Sequence, residues 1–124
     1  MKASYSRLYS DSAGESHFED VEVELSLVDF APPSPKMALS DFMPAEQTGF
    51  LAAPAGWTGD WHVSSARNLF VVISGQWEIE ASDGTKRLFS PTDVLLVEDT
   101  RGKGHRSRVI SAEESIAFLV QLPD

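Results

Sequence analysis

From about residue 37 onward the chain is a series of short apolar segments cut apart by turn residues. No stretch carries the 3.6-residue period of an amphipathic helix three turns long. That pattern leaves little besides an all-β fold. Strands are expected at Met37–Phe42, Thr48–Ala53, Trp57–Val63, Asn68–Ser74 and Trp77–Ala81. More are expected at Lys86–Phe89, Val94–Val97, His105–Ile110 and Ser115–Leu122. Ser82-Asp83-Gly84-Thr85 is the clearest hairpin turn, because Asp-Gly tolerates the positive φ of tight hairpins. Gly75 and Ser90-Pro91-Thr92-Asp93 punctuate the neighbouring strands. Many short strands at even spacing predict a sandwich or barrel.

The N-terminal part reads differently. Residues 1–20 are polar and mixed, and a loose polar arm is expected there. Val21 to Leu27 alternates strictly, which predicts a half-buried edge strand. Ala31-Pro32-Pro33-Ser34-Pro35 then breaks the pattern and reads as an extended connector. The expected organisation is one domain over residues 1–124, with the arm and edge strand at 1–36 and the barrel at 37–124. No repeat or low-complexity tract interrupts it.

Composition narrows the partners. The net charge of −9 supplies no broad basic surface, so neither nucleic acid nor an anionic membrane is an expected partner. No apolar run approaches the roughly 20 residues needed to cross a bilayer. The N-terminus lacks the apolar stretch of a secretory signal, and a cytoplasmic location is expected. Cysteine is absent, which excludes disulfides, thiolate catalysis and Cys-type zinc sites. No serine stands in a nucleophile-elbow context.

Two histidines flank the central strands. His62 closes Trp57-Thr58-Gly59-Asp60-Trp61-His62, and His105 follows Asp99-Thr100-Arg101-Gly102-Lys103-Gly104. Folding the intervening segment into a small barrel brings both imidazoles across one pocket. If His62 points inward along a strand, Asp60 and Ser64 do too, while Trp61 and Val63 point out. His105 likewise travels with Ser107 and Val109, and Arg106 and Arg108 face the other way. The plainer alternative makes both histidines hydrogen-bonded interior residues. Of the three tryptophans, Trp61 and Trp77 read as core or interface, and Trp57 is open between wall and pocket. The basic residues Arg101, Lys103 and Arg106 either hold an anion or pair with Glu98, Asp99 and Glu113.

The segment from Gly59 to His105 resembles the cupin superfamily, in particular its small single-domain, RmlC-like jelly-roll barrels. The family's first motif reads G-x5-H-x-H-x3,4-E-x6-G. Aligned on Gly75, this chain has His62 at the first histidine, Ser64 at the second and Asn68 at the glutamate. Pro91-Thr92-Asp93-Val94 looks like the family's "PGDV" turn, with Thr92 in the glycine position, and His105 looks like the histidine that follows. The resemblance covers roughly residues 48–122. It implies a double-stranded β-helix, or jelly roll, and a homodimer.

The resemblance also implies a metal site of three histidines and a glutamate. Only His62 and His105 stand at matching positions. Candidate further ligands are His17, Glu98 and Asp99, which would complete a site for one divalent ion such as Fe, Ni, Mn or Zn. Two functions follow. One is a small-molecule binder whose pocket uses His62, His105, Asn68, Ser64, Asp60 and Phe70, with Leu96 as a further wall. The other is a metal-dependent enzyme of oxygenase or isomerase type, with His62 and His105 as ligands. The catalytic residues and the reaction are unassigned. A third class, a structural or interaction protein, rests on the outward Trp61 and Val63. Those side chains, with Trp57 and a connector long enough to reach a neighbour, also argue for the homodimer.

Overall fold

Apolar alternation draws the centre of this chain into two facing sheets. The computed structural model describes residues 1–124 and contains eleven strands and no helix. The larger sheet is built from β1 (Lys2–Ser10), β2 (Ser16–Glu24), β5 (Gln47–Ala53), β6 (Asn68–Ser74), β9 (Val94–Val97) and β11 (Ser115–Gln121), in the order β2-β1-β9-β6-β11-β5. The smaller comprises β7 (Trp77–Ala81), β8 (Lys86–Phe89) and β10 (His105–Val109), in the order β10-β7-β8. A two-stranded ribbon, β3 (Ser26–Val28) with β4 (Met37–Leu39), lies in the connection between β2 and β5. No helix is long and apolar enough to cross a membrane.

The core forms where the two sheets turn their apolar faces together. The larger sheet contributes Leu8, Phe70, Val72, Leu95, Val97 and Ala117. The smaller contributes Trp77, Ile79, Ala81, Phe89 and Val109. Along β7 the burial alternates residue by residue, so Trp77, Ile79 and Ala81 point inward and Glu78 and Glu80 outward. Removing such side chains from water is the main drive for closing the barrel, at ~1.5–3 kcal/mol for each large one.

Four expected strands, Asn68–Ser74, Trp77–Ala81, Lys86–Phe89 and Val94–Val97, coincide with β6 to β9. The Asp83-Gly84 turn joins β7 to β8, and Gly84 takes the positive φ of 92° that the turn requires. Two expectations differ from the structure. Residues 1–20 are not a loose arm: β1 and β2 pair over nine residues each, from Lys2 opposite Glu24 to Ser10 opposite Ser16. β1 also lies parallel to β9, with Leu8 opposite Val97. Little apolar alternation marks β1. Ladder hydrogen bonds and cross-strand ion pairs such as Arg7 to Glu19, 2.7 Å, hold it instead. The second difference is at Trp57–Val63. It is a loop touching β10 through isolated bridges, Thr58 to Arg108 and His62 to His105.

Candidate functional site

The cavity lies between the sheets and has a volume of about 340 Å³. Its walls include Trp57, Phe70, Trp77, Ile79, Leu95 and Val97, and its polar groups are His62, Ser64, Asn68, His105 and Ser107. Phe70 and Trp77 meet edge to face with centroids 5.6 Å apart, and Trp57 and Trp77 do so at 5.7 Å. No Lys, Arg, Asp or Glu lines the space.

Backbone pairing sets the two imidazoles side by side. His62 N–H donates to the His105 carbonyl at 2.9 Å, and His105 N–H donates to the His62 carbonyl at 2.9 Å. Residues that exchange both bonds project their side chains to the same side. The rings stand 4.6 Å apart, tilted by 55°. Gly104 permits the approach. Its φ is +74°, and a Cβ there would sit 2.1 Å from the His62 carbonyl oxygen.

Each ring is oriented through Nδ1. That atom of His62 lies 2.9 Å from the Asp60 carbonyl oxygen. A carbonyl only accepts, so Nδ1 carries a hydrogen, and in the neutral ring Nε2 keeps the lone pair. Nδ1 of His105 lies 2.5 Å from Asp99 Oδ2, and Asp99 is fully buried. A carboxylate behind an imidazole fixes the ring's orientation and leaves Nε2 for the pocket. Asp99 Oδ1 is buried without a partner.

The supposed arm braces this site. Gly14, in the β1–β2 turn, accepts a hydrogen bond from Lys103 N–H at 2.9 Å. Glu15 pairs with the Lys103 ammonium at 2.5 Å. Ser16 Oγ donates to the Gly104 carbonyl at 2.7 Å. The segment from Asp99 to Gly104 is thereby held against β1 and β2, next to the ring it carries into place.

Of the expected site residues, His62, His105, Asn68, Ser64 and Phe70 come together around the cavity. Asp60 does not. Its stretch is a loop, so strand alternation does not apply, and its carboxylate caps the Trp61 amide at 2.8 Å from the exposed surface. Leu96 points away, and Leu95 and Val97 line the space instead. Trp57 and Trp77 are wall residues. Wide sequence separation hid Leu119 and Ile79 as lining groups, whereas the alternation of β10 had already turned Ser107 inward.

The three expected extra metal ligands are engaged elsewhere. His17 sits between Asp11, at 2.7 Å, and Asp83, at 2.9 Å. Those hydrogen bonds, Asp11's foremost, raise its pKa above the ordinary histidine value. Glu98 is clamped by Arg7 at 2.5 Å and Arg67 at 2.6 Å. Burial pushes the Glu98 carboxyl up, but the hydrogen bonds from the two guanidiniums outweigh it and the pKa is lowered. Asp99 is turned to His105. No group of three or more His, Asp or Glu side chains is placed to hold an ion. Two imidazoles alone do not fit a resident divalent metal. Of the basic residues, Lys103 pairs with Glu15, Arg106 with Glu80 at 2.8 Å and Arg108 with Glu78 at 2.9 Å, none of them an expected partner, and Arg101 pairs with no carboxylate.

No family model matches the chain, and no curated protein matches it either. Solved structures do. A Cupin 2 conserved barrel domain protein from Salinispora arenicola superposes with a TM-score of 0.50 at 16% identity, over 82% of this chain and 76% of that one. The Cnp3 cupin domain of Schizosaccharomyces pombe gives 0.51 at 16% identity, over 99% of this chain and 84% of that one. The fold is that of a cupin. Capsular polysaccharide assembling protein CapF from Staphylococcus aureus gives 0.51 at 14% identity, over 81% of this chain but 31% of that one. At these identities the likeness concerns the cupin fold alone, and chemistry has to come from the site.

Proposed function

We propose that this cupin-fold protein binds a small organic molecule in the cavity between His62 and His105. The observation that carries the reading is the orientation of the two rings. Each is tied through Nδ1, one to Asp60 and one to Asp99, so that Nε2 is left for the cavity. A plain interior histidine has no need of a cavity beside it. Aromatic walls with a few convergent polar groups are the usual make-up of a ligand pocket. The test is native mass spectrometry and ligand extraction on the purified chain, compared with His62→Ala/His105→Ala. A co-purifying molecule held by the wild type and lost from a folded double variant supports the reading. A molecule retained by that variant places the site elsewhere.

The second reading is a metal-dependent enzyme of oxygenase or isomerase type. What favours it is the Asp99–His105 contact, since metal-bound histidines commonly lean on a carboxylate. What opposes it is the missing third ligand. Elemental analysis, before and after reconstitution with Fe, Ni, Mn and Zn, decides: stoichiometric metal favours the enzyme.

The proposal keeps a cytoplasmic homodimer, without nucleic acid or membrane as partner. Support for the dimer comes from β5, an outer strand with no charged residue and Phe50 73% exposed. Such edges are templates for pairing. Light scattering at micromolar concentration tests it, and a monomer mass overturns it.

A further inference from the structure

The hydrogen-bond directions around the cavity restrict what the ligand can be. His62 has spent its Nδ1–H on the Asp60 carbonyl. Ser64 has spent its single hydroxyl hydrogen on the Ala66 carbonyl, 2.5 Å away. The Asn68 amide nitrogen donates to the Ala66 carbonyl at 2.9 Å and to Ser64 Oγ at 3.3 Å. Ala66 can only accept, so the orientation of that amide is settled and its Oδ1 is the atom left over. The donors at three of the cavity's polar residues are therefore used up within the protein. What these three leave to the cavity is lone pairs, at Nε2 of the neutral His62 ring, Ser64 Oγ and Asn68 Oδ1, while Ser107 brings a hydroxyl to the same space.

The cluster of acceptors at His62, Ser64 and Asn68 asks for a ligand group that donates. An anion is disfavoured because no lysine or arginine lines the space to balance its charge. An ammonium would find donors' partners but no counter-charge, because no carboxylate lines the space. The remaining surface is aromatic and apolar. An apolar cavity of roughly 150 Å³ takes a benzene ring, and about 340 Å³ is present here. Resting on the reading of this cavity as a ligand site, we propose that its ligand is a neutral aromatic molecule bearing a hydroxyl group. The rings pack against Trp57, Phe70 and Trp77, and the hydroxyl donates to the acceptor cluster at His62.

The test is calorimetric titration of the whole chain at pH 7, after dialysis against a chelator, with three probes of one shape. 2-Naphthol donates, 2-methoxynaphthalene only accepts, and 2-naphthoate is an anion. The expected result is 2-naphthol bound about tenfold more tightly than either of the others, the worth of one good hydrogen bond. In His62→Phe that preference should shrink to within about twofold, while an apolar contact with the rings persists. A preference for 2-naphthoate would mean that donors rather than acceptors dominate the cavity, and would overturn the proposal while leaving the pocket in place. Equal affinities for 2-naphthol and its ether, an unchanged preference in His62→Phe, or binding that needs added metal would each overturn it too. If none of the probes binds the folded chain, the pocket reading falls with it. Because the probes are compared first on the wild type, misfolding of the variant leaves the proposal open to refutation.

Discussion

His62 and His105 are joined twice through their backbones, N–H to carbonyl at 2.9 Å in each direction, and their rings stand 4.6 Å apart. The loop from Pro54 to Arg67 thus delivers its imidazole to the cavity through this pair of hydrogen bonds, flanked by Gly59 N–H to the Ser107 carbonyl at 2.9 Å and Ser64 N–H to the Asp99 carbonyl at 3.0 Å.

Gly104→Ala should break that pair. The added Cβ would meet the His62 carbonyl oxygen at 2.1 Å, and φ of +74° is strained for any L side chain. Strain of ~1–2 kcal/mol adds to the loss of the two bonds, so a destabilisation of about 2–4 kcal/mol is expected in urea unfolding. Unchanged stability would mean that the loop moves away at little cost.

Thr92→Gly should stabilise the protein. Thr92 is the one residue other than glycine with positive φ, at 85°, and it stands where the cupin turn carries glycine. A β-branched residue there costs ~1–2 kcal/mol. Glycine relieves that but gives back up to about 1 kcal/mol through the freer unfolded chain. A gain of about 0.5–1 kcal/mol is expected, read as a rise in the thermal midpoint of a few degrees. A fall would show the turn to be unstrained.

Glu98→Gln should destabilise by about 1–3 kcal/mol, because it removes charge-assisted bonds from Arg7 and Arg67 and leaves two guanidiniums facing each other. The carboxyl's lowered pKa sets the sign with pH. A folded pKa below the unfolded one gives stability that is present above the ordinary glutamate value of ~4.3 and lost as pH falls through the folded value. The gap between wild type and variant should therefore close on acidification below about pH 4.

His17 acts in the opposite direction. Its pKa is raised, by Asp11 first and Asp83 second. The stabilisation is complete below the ordinary histidine value of ~6.5 and is lost as pH rises through the folded value. Thermal midpoints measured from pH 5.5 to 9 should fall for the wild type relative to His17→Asn as pH rises. Parallel curves would show that the imidazole gains nothing from its two carboxylates.

The strands of the barrel were legible because each side-chain pattern answers a local question: which face of a short strand meets the core. β6 to β9 alternate or run apolar between clear turns, and their limits could be read directly. Ser107 turned inward with His105 for the same reason. β1 carries no such pattern. It becomes a strand because β2, the other arm of its hairpin, and β9, remote in sequence, flank it on its two edges. At Trp57–Val63 the apolar residues suggested a strand, yet only two bridges form, and Asp60 is left at the surface. The sequence by itself determined an all-β barrel and the choice of His62 and His105 as its pocket histidines. Only the tertiary structure decided that Asp99 stands behind His105, that Glu98 and His17 are held by other partners, and that the donors around Ser64 and Asn68 are spent. Hydrogen-bond direction and charge pairing depend on which groups meet in space, and side-chain periodicity carries no record of that.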